Sequence, residues 1–279
     1  MNENNPLSRY FRQPTIYMRL PSGGQHYPAG SLDLPANGEL PVFPMTVRDE
    51  IINKTPDALF NGSAVINLIQ SCVPNIKNAW DIPSIDLDSI LIAIKVATYG
   101  QNLDITGSCA HCQETSDYVI DLNRTLAEIG RSDYGSAQRI GQFEIMFRPL
   151  NYREINETSQ EQFSEQKILN ILPDSGLTDK ERIQQINELI VKITDGTISA
   201  LSKSISSIRT DDVIVTDEQQ IHEFLDNCPT AMFTAIRDAA VAKRQAGSMK
   251  PLKLTCSHCN KQYDQILTLD LSNFFVPSS

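Results

Sequence analysis

Hydrophobic positions along the chain switch between two periods, and the switches divide it. In residues 1–45, short apolar runs sit among Pro, Gly and Asn. Residues 15–20 and 40–43 read as strands, and Pro21-Ser-Gly-Gly-Gln-His-Tyr-Pro28 between them reads as a turn. The region is expected to be an extended N-terminal β arm and hairpin. Over 46–100 the spacing becomes helical. Thr46 with Asp49 forms a capping box, Asp standing where Glu or Gln is preferred, and predicts a helix over 46–54. A second helix is predicted over 63–71, ahead of Pro74. Leu87, Ile90, Leu91 and Ile94 mark a third. Ile92 and Val96 widen its stripe, so this helix is expected to be buried on several sides, with Gly100 as its stop.

A strand period follows over 101–149. Leu103, Ile105, Val119, Ile120 and Leu122 carry it first, and Phe143, Ile145 and Phe147 alternate within a hairpin over 140–149. Residues 150–248 read as helical. Ile155, Phe163, Ile168, Leu169 and Leu172 mark one segment that stops before Pro173. Thr178 with Glu181 is a capping box ahead of Ile183, Ile186, Leu189, Ile190 and Ile193. Gly196 suggests a break before 198–208, Thr216 with Gln219 opens another helix, and Pro229 starts the last one, which ends near Gly247. Strand pattern resumes at Leu252, Leu254, Ile266, Leu267, Leu269 and Leu271.

The expected fold class is α+β. Helical bundle segments combine with a small zinc-ribbon-like β unit split by a helical insertion, plus the N-terminal arm. The expected division is 1–45 for the arm and hairpin, 46–149 for a helical and β core, 150–248 for the inserted helical region, and 249–279 for a closing strand and tail.

Chemistry enters with the cysteines. Four of six fall in two pairs, Cys109-Ala-His-Cys112 and Cys256-Ser-His-Cys259. Each C-x-H-C is followed by a polar loop and an apolar run ending in Asp-Leu, an internal echo that suggests two similar knuckle-and-strand units. Two such turns supply four thiolates, which suits tetrahedral Zn²⁺ and leaves no open position for a reacting water. The expected metal ligands are therefore Cys109, Cys112, Cys256 and Cys259, and the expected cofactor is one structural Zn²⁺. The usual ribbon spaces its pairs by roughly 15–20 residues, so this match requires the insertion. A redox Cys-x-x-Cys and buried, unliganded cysteines are the alternatives. His111 and His258 lie inside the knuckles as exposed loop residues or as replacement ligands. Cys72 and Cys228 read as small core hydrophobes.

Composition narrows the function classes. The chain has 279 residues, enough for one large or two modest domains, and a net charge of 24 − 34 = −10. That balance disfavours nonspecific nucleic-acid binding. There is no run long enough for a membrane span and no signal-peptide pattern at the N-terminus, so synthesis in a cytosol is expected. Four histidines, no G-x-S-x-G and no phosphate-cradling loop argue against an enzyme. The carboxylates Asp86, Asp88, Asp211 and Asp212 read as helix-start charges. Tyr10 and Phe11 in the arm, and Phe274, Phe275 and Val276 in the tail, are either partner anchors or edge packing.

A series of motifs then stands in order: Arg19-Leu-Pro-Ser-Gly-Gly-Gln-His-Tyr-Pro28, Pro44-Met-Thr-Val-Arg-Asp-Glu50, Lys54-Thr-Pro-Asp-Ala-Leu59, Asn61-Gly-Ser63, Ser71-Cys-Val-Pro-Asn-Ile76, Trp80-Asp-Ile-Pro83, Asp86-Leu-Asp88 and Ile92-Ala-Ile-Lys-Val-Ala-Thr-Tyr-Gly100. With Cys109-x-x-Cys112 and the weaker Arg148-Pro-Leu-Asn-Tyr-Arg153, this order resembles the baseplate hub and assembly proteins of T-even-type contractile-tailed bacteriophages. The resemblance implies a non-enzymatic tail part made in the host cytoplasm, with other hub and tail proteins as partners and self-association in a ring as a further one. It implies residence in the virion baseplate, or a role confined to assembly. It names no catalytic residue. A zinc-ribbon regulator of nucleic acid is the rival from another class; it would want basic residues at the knuckles, where Lys250, Lys253 and Lys261 supply a few.

Overall fold

The computed structural model describes residues 5–53, 61–171, 178–267, 269 and 274–275. The fold is mixed, with eight helices and small antiparallel sheets among the described residues. It separates into two compact units. One comprises Met1–Arg131 and Gly247–Ser279; the other, Ser132–Ala246, is inserted between those stretches of chain.

In the first unit, β1 (Ile16–Met18) and β2 (Leu40–Val42) pair antiparallel, and the turn expected between them begins at Pro21. Helices α1 (Val47–Asn53), α2 (Ser63–Cys72) and α3 (Ser84–Tyr99) follow. The Thr46–Asp49 box forms: the Asp49 carboxylate accepts from the Thr46 amide and hydroxyl, and Thr46 Oγ1 accepts from the Asp49 amide. The α3 helix is buried round its circumference, with no exposure at Ile90, Ile92, Ala93 or Ile94. That is the physical consequence of its wide apolar stripe. Gly100 ends it at φ +88°. Leu40, Val42, Leu68 and Ile69 complete this core. The family-like segment 54–59 lies outside the described residues.

Two hairpins finish the unit. Strands β3 (Asn102–Ser108) and β4 (Thr115–Asp121) carry the first cysteine pair between them; β9 (Leu252–Thr255) and β10 (Gln262–Gln265) carry the second. The run ending in Asp121-Leu122 is not strand to its end. The Asp121 carboxylate accepts from the Asn123 and Arg124 amides and caps α4 (Leu122–Glu128), so Leu122 is helical. Ile266, Leu267 and Leu269 lie beyond β10, and Leu271 lies outside the described residues.

In the second unit, β5 (Gln138–Ile140) and β6 (Phe143–Phe147) form the expected hairpin. They join β7 (Ile205–Arg209) and β8 (Ile214–Val215) in a sheet ordered β5-β6-β7-β8. Helices α5 (Tyr152–Ile171), α6 (Asp179–Lys203), α7 (Glu218–Asn227) and α8 (Thr230–Ala246) complete it. The Thr178–Glu181 box is present. Two helical expectations fail here. Gly196 does not break α6, and the helical reading of 198–208 gives way at Ser204 to strand β7. Ile205 and Ile208 have helical spacing, but both are buried when β7 pairs with β6, and that tertiary pairing overrides a weak local preference. The cap of α7 is Asp217, which accepts from the Gln220 amide, one residue later than the Thr216 start. Leu172 and Pro173 lie outside the described residues.

Candidate metal centre

Each cysteine pair occupies the tip of a hairpin, and the two tips are built alike. The Cys109 amide donates to Glu114 O and the Gln113 amide to Cys109 O; the Cys256 amide donates to Lys261 O and the Asn260 amide to Cys256 O. The fourth residue after each leading cysteine turns the chain at positive φ, +62° at Gln113 and +56° at Asn260. The His111 amide donates to Cys109 Sγ and the His258 amide to Cys256 Sγ, each at 3.4 Å. The echo read along the sequence is therefore a repeat in hydrogen bonding, aligned by the cysteines rather than by the Asp-Leu dipeptides.

The hairpins bring their faces together. Leu254 and Tyr263 pack with Cys109 and Cys256 in one buried cluster, flanked by Ile105, Tyr118, Ile120 and Leu252. The Tyr118 hydroxyl donates to Thr255 O, the Tyr263 hydroxyl donates to that of Tyr118, and the Ser116 and Ser257 hydroxyls meet at 2.7 Å. This packing converges four sulfurs from residues 109–112 and 256–259. Cys109 Sγ lies 3.7 Å from Cys259 Sγ, Cys112 Sγ lies 3.6 Å from Cys256 Sγ, and all four are within 4.8 Å of one another.

Those distances test the fit to a metal. None of the four is in a disulfide. A tetrahedron with bonds of about 2.3 Å has edges of about 3.8 Å, close to the cross-hairpin separations. The donor set is four potential thiolates, soft and anionic, which suits Zn²⁺ or iron over hard cations. The amides of Cys112 and His111 favour the ionised form of Cys109 and, against the opposing effect of burial, bring its thiol down to about 6. Cys109 and Cys256 are buried while Cys112 and Cys259 are half-buried, so the cluster sits just beneath the surface.

The remaining cysteines stand apart. Cys72 is fully buried at the end of α2, and burial pushes its thiol up to about 12. Cys228 follows α7, and its Sγ donates to Leu225 O. The His111 and His258 side chains are exposed. Tyr10 and Phe11 are exposed in the arm, whereas Phe274 and Phe275 are buried and meet edge to face at 5.1 Å. Val276 lies outside the described residues. Lys250 and Lys253 border a groove with Arg124, but Asp121, Glu128 and Asp264 border it too, so no cationic stripe forms there.

Two polar networks, one buried and one half-buried, were not legible as such. Asp86, read as a helix-start charge, is fully buried and accepts from the Ser22 amide, the Ser22 hydroxyl and the Tyr27 hydroxyl. It ties α3 to the Pro21 turn, and burial, opposed by these hydrogen bonds, raises its pKa above the ordinary carboxylate value. Arg12 donates to Pro44 O, Ser71 O, Ser71 Oγ and Asp49, joining the arm to α1 and α2. The signal available for the first was that Ser22, Tyr27 and Asp86 each fall inside the ordered motifs.

No helix among the described residues is long and apolar enough to cross a membrane. The family model of the T4 bacteriophage base plate protein matches residues 14–276, and the chain belongs to that family. No curated protein and no solved structure gives a significant match. Family membership identifies a structural component of a phage baseplate, acting with other baseplate and tail proteins, and implies a non-enzymatic role in the virion tail.

Proposed function

We propose that this chain is a structural part of the baseplate hub region, in which Cys109, Cys112, Cys256 and Cys259 hold one Zn²⁺. The metal staples the two hairpins into a ribbon, and the arm and helical faces contact neighbouring hub and tail proteins, with self-association in a ring. The observation that carries the reading is the convergence of four sulfurs, separated by over a hundred residues of chain, at near-tetrahedral spacing. Four thiolates close the coordination sphere, so the zinc's contribution is mechanical. It links the chain stretches that enter and leave the inserted unit, where a long loop would otherwise remain open in the unfolded state.

The test is metal analysis of the purified chain, expected to give about one zinc per polypeptide. Cys109→Ser and Cys256→Ser should each lose the metal and lower the melting temperature strongly. A metal-free chain whose melting is unchanged by chelator refutes the staple. The hub assignment is tested by mass spectrometry of purified particles, where the chain is expected at fixed copy number. Its presence only in assembly intermediates would make it an assembly chaperone, and its absence from both would end the hub reading.

A further inference from the structure

Both thiol–thiol hydrogen bonds of the cysteine cluster cross from one hairpin to the other. Cys109 Sγ meets Cys259 Sγ at 3.7 Å, and Cys112 Sγ meets Cys256 Sγ at 3.6 Å. Inside each knuckle the leading sulfur instead accepts from the backbone, from the His111 amide at Cys109 and from the His258 amide at Cys256. The two crossing contacts share no sulfur, so a bond along one leaves the other free to form. A disulfide is about 2.05 Å long, so each pair has only about 1.6 Å to close.

Access divides each crossing pair. Cys112 and Cys259 are half-buried, whereas their partners Cys256 and Cys109 are buried. A small oxidant therefore reaches one sulfur of each pair first, and the other stands beside it in the opposite hairpin. That is the arrangement of a reactive cysteine with its resolving partner. The mechanical consequence depends on which sulfurs join. Bonds within the knuckles, Cys109 to Cys112 and Cys256 to Cys259, would leave the hairpins held to each other by packing alone. Crossing bonds join residues 150 and 144 apart in sequence and keep the hairpins stapled. A virion part also has a use for such a site, because thiols stay reduced in a cytosol while disulfides persist outside it.

We propose that Cys109 with Cys259, and Cys112 with Cys256, form a redox-modification site that a peroxide-class oxidant converts into two crossing disulfides. One peroxide is spent per bond. The accessible thiolate attacks a peroxide oxygen, the O–O bond breaks, and a sulfenic acid and a hydroxide form. The buried partner's thiolate then attacks the sulfenic sulfur, the S–S bond forms, and a second hydroxide leaves. The protons given up by the two thiols convert these hydroxides to water. Over both bonds four thiols lose four electrons, two peroxides accept them, and four waters form. Each sulfur spent in this way is lost as a metal donor, so oxidation releases any bound ion while the staple becomes covalent. This deepens the reading above by giving the same four residues a regulation, and it rests on that reading's convergence of sulfurs rather than on the identity of the ion.

The experiment treats the full chain with hydrogen peroxide, once zinc-loaded and once reduced and stripped by chelator. Thiols titrated in denaturant are expected to fall from six to 6 − 4 = two, and to return to six with dithiothreitol. Peptide mapping without reductant should show Cys109 linked to Cys259 and Cys112 linked to Cys256. The oxidised, metal-free chain should melt about 5 °C or more above the reduced, metal-free chain. Cys109→Ser/Cys259→Ser should form the Cys112–Cys256 bond alone; if that variant does not fold, the wild-type map decides. Links within the knuckles, thiols that peroxide leaves unchanged, or a loss of thiols that dithiothreitol does not reverse overturn the proposal. Crossing links in a chain that never holds zinc support it and end the zinc reading, whereas a zinc-bearing chain with links only inside the knuckles overturns it and leaves the zinc reading standing.

Discussion

Asp86 shows how a single residue holds distant chain segments together. Its carboxylate takes three hydrogen bonds from Ser22 and Tyr27 across more than fifty residues of sequence. Burial, the largest influence, raises its pKa. The native state therefore binds this proton more tightly than the unfolded chain does. The group's contribution to stability is full below the unfolded value, about 4, and is lost as the pH rises through the raised native value. Asp86→Asn abolishes that titration. Urea unfolding should show the wild type's advantage over Asp86→Asn growing as the pH is lowered from 7 towards about 4. A difference that does not change with pH would mean Asp86 has an ordinary carboxylate pKa in the fold. The knuckles offer a second residue-scale test. Gln113 and Asn260 occupy the same left-handed position, and Asn tolerates it better than Gln. Gln113→Asn should raise the melting temperature by an amount corresponding to several tenths of a kcal/mol, and Asn260→Gln should lower it by about as much.

Elements are where local pattern and packing diverged. Capping boxes, the apolar circumference of α3 and the alternation in β6 are properties of short windows, and each was readable from its own residues. Strand β7 was not, because Ile205 and Ile208 fit either period until β6 supplies a partner ladder. Helix α6 illustrates the reverse. Gly196 looked like a stop, yet the helix runs through it, and a Cβ built there meets nothing within 4 Å. Gly196→Ala should stabilise α6 by about 0.5–1 kcal/mol, visible as a higher denaturant midpoint with unchanged slope. Gly107 in β3 is the opposite case. A Cβ there comes 2.8 Å from the Tyr263 hydroxyl and 3.5 Å from Leu254, the contacts that bring the hairpin faces together. Gly107→Ala should cost about 1–3 kcal/mol and, with the proposed zinc in place, weaken its retention against a competing chelator.

For the whole molecule, the consequential feature is that one compact unit interrupts the other between the two hairpins. Within the inserted unit, the Ser132 hydroxyl donates to Lys243 O, and Lys243 Nζ donates to Asp133 O and Ser136 O, so its entry and exit segments lie side by side. Replacing Ser132–Ala246 by a short Gly-Ser linker should therefore leave a folded chain that holds the proposed zinc, about one per chain, as the full chain is expected to. Metal analysis and melting of that variant check it; loss of the metal would show that the inserted unit is needed to assemble the ribbon.

The amino-acid sequence by itself determined the alternation of helical and strand segments, the two cysteine knuckles and, through its ordered motifs, the kinship with phage baseplate proteins. These survive because capping, periodicity and Cys-x-x-Cys turns are short-range, set by residues within one or two turns of each other. Tertiary structure alone decided that Asp86 is a buried tie rather than a surface charge, that 205–209 is a strand, and that four sulfurs face one another. Each of those depends on which distant segment arrives as a neighbour. Burial, ladder pairing and ligand convergence are sums over the whole folded chain, and no window of sequence contains them.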